Sequence, residues 1–359
     1  MSAADSMPGL PATRSLFLVA LAAAILLAGG AVLAPSAVAK GWLTGFVFWS
    51  SAPIGATALA LIHETTGGRW GVAAAPTLRL GCLCALILPL FFAVFAPFVG
   101  FVYPWARDAA PIAPDVSRLF LNATLFAVYG LIALVGWAVI AALLAAGRLG
   151  LLGVSLALVF HGVAISAVAV AWLLSLDPRF ADSAFGAEIA VQQILLALAA
   201  VALIAPSRAI SVANGDIGAL LFATALGAFY LGLMTFIVKW YGDQPDDAAW
   251  YLARAHGLPF AFLLGSLALG AAVPIVSCAW ERVRANARAM LVVGLSTMLG
   301  AFVHDLWLAN AASVSAALAA VAAVAAMAGL SLGLAPLLDR RFAPRRPHVA
   351  NLDRREART

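Results

Sequence analysis

The stretch LFLNATLFAVYGLIALVGWAVIAALLAA, residues 119–146, runs for 28 positions without a charged side chain. About 20 consecutive apolar residues are enough to cross the hydrocarbon core of a bilayer as a helix. Lipid offers the backbone no hydrogen-bond partners, so a helix is the form such an isolated run takes. Working outward, the pattern recurs on both sides. Runs at 15–38, 42–63 and 78–102 precede this stretch, and runs at 149–174, 185–206, 216–240, 256–279, 288–308 and 312–336 follow it. The composition agrees: 64% of the residues are hydrophobic and 10% are charged, where a soluble domain carries roughly a quarter charged. The expected fold class is an all-α integral membrane protein with about ten transmembrane helices. One domain covers 1–336, and the Arg- and Pro-rich tail at 337–359 reads as disordered. The partner implied first is the lipid bilayer, not nucleic acid.

The first run has Arg14 before it and the small residues Ala37-Val38-Ala39 after it, which resembles a signal-peptide layout. Its length of about 20 residues suits a retained helix better, since signal cores are shorter. The three cysteines, Cys82, Cys84 and Cys278, lie in apolar runs and read as small core fillers. Positive charge sets the expected orientation. With ten spans, the side holding both ends carries fifteen Lys and Arg and the other side six. Asp108, Asp115, Asp177, Asp182, Asp243, Asp246 and Asp247 all fall on the second side. Both termini are therefore expected on the cytoplasmic side of the membrane, with acidic, aromatic loops outside. Those loops would suit docking to a basic protein, although solvated loops are often acidic.

Ionisable residues at membrane depth are costly and are functional candidates by default. His304 and Asp305, near the outer end of the ninth span, have the chemistry of a quinone site, with Asp177 on the same side. Adjacent helical residues point about 100° apart, so His304 and Asp305 are expected to diverge. From its chemistry alone, Asp177 reads first as a helix cap beside Pro178 paired with Arg179. His63 and Glu64 inside, His161 at mid-membrane and Gln192 further out are the candidates for a proton path. The three histidines lie at different depths, which argues against a bis-histidine haem, and no span has metal-ligand spacing.

Four segments together resemble the F subunit of alternative complex III, the bacterial quinol:cytochrome c oxidoreductase. They are Gly41-Trp42-Leu43-Thr44-Gly45-Phe46-Val47-Phe48-Trp49 running on through Ile62-His63-Glu64 to Gly71, then Tyr103-Pro104-Trp105-Ala106, then Trp172 with Ser175 through Gly186, and finally Trp240-Tyr241 with Trp250-Tyr251 to Arg254. Glu64 departs from the pattern, and the Ala-rich last spans match little of it. The resemblance implies two four-helix bundles plus two flanking helices, related to the polysulfide-reductase type of membrane anchor. It implies a cofactor-free subunit whose partners carry the iron–sulfur clusters and c-haems, with quinone binding or proton conduction as its own share. The rival reading is a free-standing secondary transporter, a class that often pairs broken helices in its two halves around polar midplane sites.

Overall fold

The computed structural model describes residues 13–107, 114–204, 213–242 and 244–342. Ten helices in it are long and apolar enough to cross a membrane: Thr13–Leu33, Pro35–Thr66, Arg69–Phe101, Ala123–Ala145, Leu151–Leu176, Phe185–Ile204, Gly215–Gly242, Gly257–Cys278, Ala287–Leu308 and Val314–Arg341. They are called the first to tenth spans below. The chain is an all-α, multi-pass integral membrane protein.

The helices sort by contact into two closed rings. Spans two to five pack two on three, three on four, four on five and five on two. Spans six to nine repeat the order, with six on seven, seven on eight, eight on nine and nine on six. The second and sixth spans lie four crossings apart, so the two bundles run in the same sense. They meet where the sixth span packs on the second and fifth and the ninth packs on the second. The first and tenth spans pack on each other beside the second. This is the arrangement of two four-helix bundles with two flanking helices.

Small residues bring the helices together, as is usual where lipid removes the hydrophobic drive between spans. Gly41 and Gly45, one turn apart on the second span, face the alanines of the tenth. A Cβ on Gly41 would stand 2.5 Å from Ala319 Cβ, and one on Gly45 would stand 2.7 Å from Ala323 Cβ. Between the bundles the approach is closer still. A Cβ on Gly55 would lie 1.9 Å from the backbone oxygen of Gln193 on the sixth span.

Two spans are broken. The third runs as a helix over Arg69–Ala85, resumes at Leu88–Phe95 and ends in a 3-10 turn at Ala96–Phe101. Pro89 has no N–H to return to the preceding turn, and the N–H groups of Leu86 and Ile87 tighten onto Leu83 and Cys84 at 3.3 Å. The eighth span holds a π-helical segment at Leu267–Ala272 just before Pro274. Ser296 on the ninth span donates to Leu269 O at 2.9 Å, so that backbone oxygen is satisfied at membrane depth.

Several boundaries differ from the sequence expectation, the first span ending at Leu33 instead of at 38. The second span begins at Pro35 and the third at Arg69, each several residues early. The tenth extends to Arg341, so residues 337–341 belong to the helix and not to the tail. Arg79 shows why charge did not end a helix. Its Nε bonds Asp339 at 2.7 Å, while its terminal nitrogens donate to Ala145 O at 2.6 Å and Phe342 O at 3.2 Å. One side chain thus ties the third span to the ends of the fourth and tenth. The rest of the tail lies outside the described residues.

Candidate functional site

The sixth span positions the polar groups of the second bundle. Asp182 Oδ1 accepts from Ala184 N at 2.9 Å and shapes the loop that enters this helix at Phe185. One turn in, Glu188 accepts from the Thr235 hydroxyl of the seventh span, which also lies 3.3 Å from Asp182. One further turn along, Gln192 Nε2 donates to Asp305 Oδ1 of the ninth span at 2.7 Å. Asp305 is 0% exposed, and its Oδ2 has no hydrogen-bond partner among the described residues. A carboxyl group held by a neutral amide, with one oxygen uncommitted and no cation bonded to it, is chemically equipped to take up or release a proton.

His304 diverges from its neighbour, as the helical spacing predicts. Its ring lies 5.6 Å from that of Trp307 on the same helix. Asp177 pairs with Arg179 at 3.4 Å. The loop carboxylate that accepts a backbone N–H here is Asp182, not Asp177. The structure therefore joins Asp305 to Gln192, a pair the sequence assigned to two different roles.

The proton-path candidates do not form one chain. His63 packs at 5.2 Å against Trp70 near the end of the second span, and Glu64 beside it is exposed. His161 is buried in the first bundle, where Trp137 Nε1 donates to its Nδ1 at 3.2 Å. That bond accounts for His161 as a packed polar residue. No hydrogen bond among the described residues connects it to Gln192.

Above Asp305, two cations that the sequence treated only as loop charges close the end of the ninth span. Lys40 Nζ donates to Asn310 O, and Arg254 donates to Leu308 O, both at 3.4 Å. Positive groups at a helix C-terminus offset its partial negative charge. Arg254 is 4% exposed, donates to Trp250 O at 3.0 Å and lies 3.8 Å over the Trp250 ring. Burial pulls its pKa down to about 10, against the field of Asp177, so it is charged at neutral pH. Arg254 lies four residues after Trp250, in the turn that follows the short helix Pro245–Leu252, and that spacing was the signal available for this contact.

Aromatic side chains roof the same end. Phe180 stacks on Trp250 at 4.4 Å, and Trp250 meets Trp307 edge-on at 5.2 Å. The buried Tyr103 hydroxyl donates to Trp172 O at 2.7 Å, and burial raises its pKa well above the usual phenol value. Trp105 Nε1 donates to Ser175 Oγ at 3.2 Å, and Phe46 packs on Trp172 at 5.3 Å. Residues from all four segments that carried the resemblance are thus drawn to one end of the molecule, across the junction of the two bundles. No protein-family model and no curated protein matches this chain.

Proposed function

We propose that this chain is a membrane subunit of a respiratory quinol-oxidising complex of the alternative complex III kind, carrying no redox cofactor of its own. The observation that carries the reading is the pairing of helices into two parallel four-helix bundles with two flanking spans. Its support is strengthened by the gathering of the four resembling segments at one end. The electron carriers, iron–sulfur clusters and c-haems, then belong to partner subunits. This chain's share is proton handling linked to quinol chemistry at the outer end of the second bundle. Asp305 is the proton-accepting group, Gln192 positions it, and His304 and Asp177 flank that end. The transporter alternative loses ground on the broken helices. One is the second helix of its bundle and the other the third, so they do not occupy corresponding positions in the two halves.

Deleting the gene and assaying quinol:cytochrome c oxidoreduction in isolated membranes tests the reading. Activity should fall to the background left by other enzymes and return on complementation. Undiminished activity together with a solute-uptake defect would favour the transporter.

The orientation belongs to the same proposal: both ends in the cytoplasm of a bacterial inner membrane, and the roofed end outside. It rests on the fifteen-to-six division of Lys and Arg. A periplasm-active reporter fused after Arg358 should be inactive, and one inserted within 243–249 should be active. The reverse pattern contradicts every statement about sides.

A further inference from the structure

Where the bundles meet, the second, fifth and sixth spans enclose a cavity of about 10 Å³. Its walls are mostly apolar, with Val47, Val168 and Ile189 among them, but four polar side chains also reach it: Ser50, Ser51, Trp172 and Gln193. Two of these carry unmatched groups. Among the described residues, Trp172, 4% exposed, has a buried Nε1 donor without a partner, and Gln193, 2% exposed, has a buried Oε1 acceptor without one. The two serines are differently placed. Both hydroxyl hydrogens are committed to Val47 O, at 3.1 Å and 2.8 Å, which leaves their oxygens free only to accept.

An orphaned polar group in an apolar interior costs the desolvation of that group with no bond to offset it. A donor and an acceptor orphaned on one cavity call for a ligand that serves both. Size restricts the choice, because roughly 10–15 Å³ is the space that admits a single water, which typically makes about three hydrogen bonds. A quinone ring does not fit in this space.

We propose that the cavity is a binding site for one ordered water that fastens the two bundles together. The water accepts from Trp172 Nε1–H, donates one hydrogen to Gln193 Oε1, and donates the other to Ser50 or Ser51 Oγ. The orphaned donor and the orphaned acceptor are then both satisfied by one molecule, and its three bonds span the second, fifth and sixth spans. The site depends on the close approach of Gly55 to Gln193, which sets the separation of its walls.

X-ray hydroxyl-radical footprinting of the purified full-length protein, read by mass spectrometry, tests this. Radicals form from water at the site itself, so a side chain beside an ordered water is oxidised despite being buried. Trp137 is the internal control: it is 1% exposed, its N–H is bonded to His161, and it does not line the cavity. Trp172 should be oxidised several-fold faster than Trp137 in the wild-type protein, and Gln193→Leu should bring its rate down to that of Trp137. Equal rates in the wild type overturn the proposal without requiring any variant to fold. Fast oxidation of Trp172 that persists in a folded Gln193→Leu protein also overturns it, because the water would not then be held by Gln193.

Discussion

Gly55→Leu should yield no stable protein, and Gly55→Ala should fold but melt about 2–5 °C below the wild type. Even the single methyl of alanine would begin 1.9 Å from Gln193 O and 2.4 Å from Gln193 C. These are backbone atoms of a neighbouring helix, so no change of rotamer relieves the clash. The second and sixth spans would have to part by more than 1 Å, roughly, to restore ordinary van der Waals contact. That separation loosens the packing between the bundles, where overpacking costs typically about 1–3 kcal/mol and more when backbone must move. Leucine adds three further carbons to the same place. Gly162→Ala is the control, since a Cβ there meets nothing within 4 Å and alanine is the better helix former. Thermal unfolding in detergent, followed by intrinsic fluorescence, reads the difference. A Gly55→Ala protein that melts with the wild type would mean that the two bundles do not touch at this point.

Asp305→Asn should lower turnover of the assembled complex about 100-fold or more while leaving its assembly intact. The substitution isolates one property. Asparagine has nearly the shape of aspartate, and its oxygen can still accept from Gln192 Nε2, now 2.7 Å from Asp305 Oδ1. What it lacks is a group that can bind and release a proton. Asp305→Leu provides the contrast, because it also leaves the buried Gln192 amide unpaired, at a cost of about 1–3 kcal/mol in stability. A scaffold role for Asp305 predicts that Asn is tolerated and Leu is not. A proton-handling role predicts that both lose turnover and that only Leu also loses stability. Quinol:cytochrome c turnover per mole of complex, measured alongside the melting temperature, separates the two. Wild-type turnover in Asp305→Asn would remove this carboxyl from the chemistry. Asp177→Asn is expected to matter far less, since Asp177 is partly exposed and its salt bridge is to the exposed Arg179 at 3.4 Å.

The number of spans was legible because it depends on one property, the length of each apolar run. The ends were not, because a helix does not stop where hydrocarbon does. Lys40 sits inside the second span and Arg79 inside the third, each satisfied by carbonyls or a carboxylate far along the chain that no local pattern reveals. The divergence of His304 and Asp305 could be read directly from the helical repeat. The partner of Asp305 could not, since Gln192 lies 113 residues away and is brought near only by closure of the second bundle. His161 was prominent as an ionisable residue at mid-membrane depth, but Trp137 across the first bundle accounts for it. Arg254 was counted as a loop charge because its burial depends on Trp250 and on the end of the ninth span, which tertiary packing places around it.

The central claim is that this chain works inside a quinol-oxidising assembly and does not act alone. Affinity purification of the tagged chain from its native membranes in mild detergent tests that most directly, with subunits identified by mass spectrometry and haem read by visible spectroscopy. The account predicts co-purifying iron–sulfur and c-haem subunits in fixed ratio to the chain, with a reducible c-type spectrum. Recovery of the chain by itself, or with partners that carry no redox centres, would contradict it.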